Sequence, residues 1–207
     1  VQAGVVVAES HADFEALTRL ACLLEARPAR GWRLGAISNA GFECVAMADA
    51  VGRFSLAELS EETRARLRQA LARARIDGVV EVDNPMDLTP IMGDAGYEEV
   101  VRAVLEDPSV DVGVVGCVPL SGAVQTLPAD QRHAEVLDGL DSVSSRLIQL
   151  WRETTKPWVV VVDGGSDYDP MARLLERGGI PTFRTVDRAL RLLELYCGAR
   201  RFTCTPK

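Results

Sequence analysis

Residues 35–51, GAISNAGFECVAMADAV, begin as a small apolar strand, break at Ser38-Asn39-Ala40-Gly41, and resume at helical spacing with Val45, Met47 and Val51. A strand that turns within a few small residues into a helix is half of a parallel α/β unit. The helix opens at Gly41, where the first backbone N–H groups have no partner inside the helix and the dipole favours negative charge. Ser38 and Asn39 add short polar side chains beside them. The turn has the makings of an anion seat, with Ser38, Asn39, Ala40 and Gly41 as candidate phosphate-binding residues. The plain alternative stays open: Gly41 permits a tight turn and Asn39 caps the helix.

Working outward, the same alternation of β-branched runs and helical stretches continues along the chain, which predicts an α/β fold with a parallel sheet and crossover helices. GVVVAE (4–9) reads as a first short strand, and Ser10 caps a helix from about His11 to Arg27. RLGAISN is the next strand, RFSLAEL a short one, and Ser60 caps the charged helix SEETRARLRQALARAR. Tyr97 to Glu106 reads as a helix and DVGVVGCVP as a buried strand. LPADQRHAEVLDGLDSVSSRLIQLWRET reads as one long helix beginning at Pro128 to Asp130. PWVVVVDGG is another buried strand, DPMARLLERGG a helix, IPTFRT an edge strand, and Thr185 opens a last helix from Val186 to about Cys197.

Between Ile76 and Gly96 no period holds, and long loops of this kind in compact domains often carry function. Its segment DNPMDL predicts a loop that leans over the sheet edge and brings Asn84 and Asp87 near Gly41; a simple Asx-Pro turn is the alternative. PLSG (119–122) follows the central strand and adds Ser121 to the same rim. Ligands in open parallel sheets settle on the edge where strand order reverses.

Composition bounds the function. At 207 residues, 47% hydrophobic and 26% charged, the chain has the length for one good core, and its net charge of −7 offers no positive field for a nucleic acid. Its densest apolar run, WVVVV, is strand-sized, far short of the roughly 20 residues that span a bilayer. Five scattered cysteines without a C-x-x-C pair read as free thiols of a cytoplasmic protein. Val1 reads as a cut edge rather than a natural start. No nucleotide-binding glycine motif occurs, so neither a dinucleotide nor a P-loop reading has support. Only His11 and His133 are present, and both read as surface residues; no metal-ligand spacing and no G-x-S-x-G elbow exists. A hydrolase would need Ser38 or Ser121 to meet His133.

Taken in order, LGAISNAGFECVAMADAV (34–51), LAELSEETRARLR (56–68), NPMDLT (84–89), GDAGYEEVVRAVLEDPSVDVGVV (93–115), KPWVVVV (156–162) and RGGIPTFRTVDRALRLL (177–193) resemble the NDP-forming acyl-CoA synthetases, the ADP-forming acetate-CoA ligase group related to succinyl-CoA synthetase. The likeness covers nearly the whole chain. It implies that residues 31–207 are a succinyl-CoA ligase-like flavodoxin domain: a doubly wound parallel sheet with helices on both faces, three layers in all. Residues 1–30 resemble the end of the domain before it.

In that family a phosphoryl group passes from an acyl phosphate to a histidine on a mobile loop and on to ADP or GDP. The resemblance implies that Asn39, Ala40 and Gly41 help cradle that phosphohistidine. It implies CoA, ATP or ADP and Mg for the complete enzyme, with none of them bound by this chain and no catalytic residue on it. The implied partners are a CoA-binding and phosphohistidine domain and an ATP-grasp domain or subunit, with self-association left open. Phe42 stands where the family has a second glycine. Alone, the chain is expected to lack ligase activity; the rival expectation is a non-catalytic anion-binding or regulatory module of the same fold.

Overall fold

A computed structural model of the chain describes residues 5–203, with side chains to 199. The opening stretch forms strand β1 (Arg33–Ser38) and helix α2 (Gly41–Asp49), behind a first helix, α1 (His11–Leu23). On one side β1 pairs in parallel with β4 (Val112–Cys117), from Leu34↔Val112 to Ser38↔Gly116. β5 (Trp158–Val162) pairs with β4, and the short β6 (Thr182–Phe183) with β5, again in parallel. β4 and β5 are buried along their whole length, as their unbroken apolar runs require in a sheet covered on both faces.

The other side of β1 is shared. β2 (Ser55–Leu56) meets Arg33 and Leu34, and β3 (Met86–Asp87) meets Ile37 and Ser38. Between them the Asn84 side chain stands in for a strand residue: its Oδ1 accepts from Ala36 N at 2.9 Å, and its Nδ2 donates to Leu34 O and Ala57 O at 2.8 and 2.9 Å. The resulting order, β2-β1-β4-β5-β6 with β3 beside β1, is flavodoxin-like.

Side-chain alternation separates the faces. A Cβ on Gly35 or Gly113 would meet Val104 or Leu105 of α4 (Asp94–Glu106), whereas one on Gly116 would meet Glu43 and Met47 of α2. The α4 face also carries α3 (Glu61–Ala74) and α5 (Val143–Glu153), with α6 (Asp169–Arg177) beside α5. The α2 face carries α7 (Val186–Thr203), and α1 packs on α7. Leu20 and Leu24 are buried there, Tyr196 Oη donates to Leu24 O at 2.8 Å, and Asp13 takes ion pairs from Arg188 and Arg191. Ser10 and Ser60 cap α1 and α3 as expected, accepting from Asp13 N and Thr63 N.

Four sequence expectations change. Val5 to Ala8 form no strand; Gly4, the start of that expected strand, lies outside the described residues. The expected long helix from Pro128 is a loop as far as Asp141, and only its second half, α5, is helical. Local side chains win there: Glu135 Oε2 accepts from Thr126 N, Thr126 Oγ1 and Leu127 N, and Asp130 accepts from Arg132 N, which ties the backbone into turns. Ser142 then caps α5 by accepting from Ser145 N. The aperiodic region hides β3 and the first turn of α4, which begins at Asp94 rather than Tyr97. Finally, α7 runs on past Cys197 to Thr203. Cys44, Cys117 and Cys197 are free and buried, Cys22 free and exposed, and Cys204 lies outside the described residues.

A candidate anion seat at the sheet edge

Strand order reverses between β1 and β4, and α2 begins there, at the carboxyl ends of both strands. Asn39 fastens this point. Its Nδ2 donates to Val118 O at 3.0 Å and its Oδ1 accepts from Val118 N at 2.8 Å. Both ends of the Asn39 amide are therefore committed to the fold.

Ser38 is fully buried, and its Oγ accepts from Ala40 N at 3.1 Å while donating to Glu43 Oε2 at 2.5 Å. This is a capping box relayed through a serine: the third helical residue reaches back to the N-cap N–H by way of Ser38. Ala40, at the N-cap, supplies no side-chain cap. The Gly41 and Phe42 N–H groups have no hydrogen-bond partner among the described residues. They are the two free donors at this helix start, the kind that can receive an anion.

The loop does lean over this edge. A Cβ on Gly41 would lie 3.0 Å from Asp87 Oδ2, and Asp87 Oδ1 accepts from Thr89 N at 2.9 Å. Gly41 has no positive φ, so its missing side chain serves to admit the Asp87 carboxylate rather than to permit a turn. Thr89 is held at φ 56°, a left-handed conformation rare for a β-branched residue, and its Oγ1 is buried without a partner. Ser121 is tied to the loop that follows Thr89, donating to Pro90 O and accepting from Ala123 N. Asn84 lies back in the sheet, stitched to β1 and β2, away from the edge.

Sequence reasoning passed over Glu43. Its side chain is fully buried beneath Gly116, and its Oε1 has no partner. Burial pushes the carboxyl up to about 7; the Ser38 bond opposes this and the Asp163 carboxylate adds to it. The signal was a single acidic residue inside an apolar run, but Ser38 and Glu43 are five apart, and the usual box spacing is three. Burial also pushes the neighbouring Cys44 thiol up to about 12, so it is no nucleophile.

Neither Ser38 nor Ser121 bonds to His133, whose Nδ1 is buried without a partner, and the serine–histidine pair a hydrolase needs is not formed. His11 lies on the surface beside Glu15. Among the described residues no group of three His, Cys, Asp or Glu is placed to hold a metal ion, and no helix is long and apolar enough to cross a membrane.

No protein-family model matches the chain. The alpha subunit of the acetate–CoA ligase [ADP-forming] II of Pyrococcus furiosus is 28% identical over 185 residues, which cover 88% of this chain and 36% of the relative. The chain is homologous to ADP-forming acetate–CoA ligase. This ligase homologue spans little more than a third of that relative's length. Solved structures share its fold. One is a Pyrococcus horikoshii OT3 protein, with TM-score 0.79 and 23% identity over 99% of this chain and 43% of that one. Another is the dinucleotide forming acetyl-coenzyme A synthetase 1 of Ca. Korarchaeum cryptofilum in complex with phosphate and ADP, with TM-score 0.77 and 21% identity over 100% of this chain and 42% of that one.

Proposed function

We propose that the chain is the flavodoxin-like part of an NDP-forming acyl-CoA synthetase, and that its α2 N-terminus cradles a phosphohistidine brought by another domain. The observation that carries this reading is the pair of unpartnered N–H groups on Gly41 and Phe42 at the strand-order reversal. The Phe42 ring, 62% exposed, stands in solvent instead of folding back over them. Backbone donors at a helix start suit a phosphoryl group in transit, because they are fixed before it arrives and carry no charge that would trap it. CoA, nucleotide and Mg belong to the partner domains in this reading, and the chain's work is to receive the loop and stabilise its charge.

The test is Gly41→Pro in the synthetase assembled with its CoA-binding and ATP-grasp partners. Proline at the first helical position removes one seat donor without breaking the helix, and Ala40 already has the extended backbone that precedes a proline (φ −144°, ψ 123°). Gly41→Ala, which brings the same Cβ to 3.0 Å from Asp87 Oδ2 but keeps the N–H, is the control and should retain most of the turnover. CoA-dependent ADP formation is expected to fall by roughly 100-fold with the fold intact. Unchanged turnover would remove the cradle. A second reading, a non-catalytic anion-binding module, is favoured by the Asp87 carboxylate beside Gly41, which competes with an incoming anion. It is the better reading if the assembled protein shows no ligase activity in the parent form.

A further inference from the structure

Glu43 sits in the first turn of α2, on the side of the seat that faces the core. Its carboxyl lies between Ser38, Met47 and Gly116, with no basic side chain paired to it and Oε1 unpartnered. A carboxylate in that setting would put a negative charge one turn from the Gly41 and Phe42 donors and cancel the positive pole that makes them a seat. A neutral carboxylic acid leaves the pole intact and keeps the hydrogen bond to Ser38.

We infer that Glu43 is a positioning residue that sets the anion affinity of the α2 seat through its own proton: protonated Glu43 admits a dianion, ionised Glu43 turns it away. The inference rests on the seat reading given above and adds what controls it. Apart from the Ser38 hydrogen bond, which favours the ionised form, the surroundings reinforce the neutral one. Asp163, after β5, faces Glu43 with like charge, and burial raises the carboxyl in the same direction. The thiols of Cys44 and Cys117 and the phenol of Tyr97 lie close enough to feel Glu43, and each is pushed up by burial and held neutral. Asp87 from β3 lies near Cys44. α7, packed on α2, sends Glu194 to Arg53 N and Arg191 to Asp13, so neither supplies a counter-charge. Gly116 is what makes the site possible, because a Cβ there would fall 1.9 Å from Glu43 Oε2. The seat would therefore load a phosphoryl group more readily at slightly acid than at slightly alkaline pH.

Sulfate is the probe, because its charge does not change over the range in which phosphate itself titrates. Backbone amide NMR of the chain would follow Gly41 and Phe42 during sulfate titrations at about pH 6 and about pH 8.5, on either side of the Glu43 midpoint, in the parent and in Glu43→Gln. Sulfate affinity in the parent is expected to fall about tenfold across that range, and to stay flat in Glu43→Gln. By reciprocity, saturating sulfate must raise the Glu43 side-chain titration midpoint, read from its carboxyl carbon, by about one unit for a tenfold difference. That readout needs no variant and stands if Glu43→Gln does not fold. Equal pH dependence in both proteins, or a Glu43 midpoint unmoved by sulfate, overturns the role of Glu43 while leaving the seat in place. Absence of any Gly41 or Phe42 response at either pH, in either protein, overturns the seat and this inference with it.

Discussion

The Asn39 side chain closes a two-bond ring with the backbone of Val118, donating to its O at 3.0 Å and accepting from its N at 2.8 Å. That ring joins the carboxyl ends of β1 and β4 where the strand order reverses. Asn39→Asp keeps the shape but turns a donor into an acceptor facing Val118 O, and Asn39→Ala removes both bonds. Either change is expected to cost about 2–4 kcal/mol, since buried backbone groups lose their partners. Urea midpoints measure this; a loss below about 0.5 kcal/mol, the range of an ordinary surface change, would show that the clasp is not formed.

Gly116 and Glu43 form a second pair whose sizes are matched. A methyl group on Gly116 would lie 1.9 Å from Glu43 Oε2 and 2.7 Å from Met47 Cε. Gly116→Ala is expected to destabilise by about 1–3 kcal/mol through overpacking. In the Glu43→Ala background the same change should cost much less, because the obstructing carboxyl is gone. Additive costs in a double-mutant cycle would place Glu43 somewhere other than beneath Gly116.

Protonation of Glu43 has a sign that stability measurements can read. Between its ordinary value of 4.5 and the folded value of about 7, the folded chain holds a proton on Glu43 that the unfolded chain has lost. Stability therefore falls as pH rises through that window and levels off above it. Glu43→Gln has no such proton, and above neutral pH it should be more stable than the parent by roughly 2–3 kcal/mol. Unfolding free energies of the two proteins measured across the window check the direction; a parent that gains stability on the alkaline side contradicts it.

Much of the frame was legible in the sequence. Apolar runs at 33–38, 112–117 and 158–162 mark β1, β4 and β5, because strands covered on both faces leave no polar side to disguise them. The strand-to-helix turn at Ser38–Gly41 was legible too, with α2 opening at Gly41. What escaped was set by contacts far apart in sequence. Met86 and Asp87 become a strand only because β1 offers the rest of its edge, and Asn84 works as a ladder residue only because Ala36, Leu34 and Ala57 meet there. The 128–141 segment has helical composition, yet Glu135 folds it back onto Thr126 and Leu127. Glu43 drew no reading from the sequence, because its burial depends on α2 docking over Gly116.

Thr89 stores strain beside the seat. Its φ of 56° and its buried, unpartnered Oγ1 both disfavour threonine. Thr89→Gly removes the left-handed penalty and the orphan hydroxyl, and is expected to raise stability by about 1 kcal/mol. If the strain serves to hold Asp87 over Gly41, the same variant should weaken anion binding at the seat. Thermal unfolding and a sulfate titration read the two effects separately; a less stable variant would mean that Thr89 is not strained.

Titrating the amide-labelled chain with phosphoramidate, which carries the nitrogen–phosphorus bond of a phosphohistidine, tests the seat most directly. The largest shifts should fall on the Gly41 and Phe42 amides, and Gly41→Pro should weaken binding several-fold. A response centred instead on Arg19, Arg184 and Arg188, which line the cavity of about 270 Å³ between α1 and β6, would contradict the seat and move anion binding to another part of the molecule.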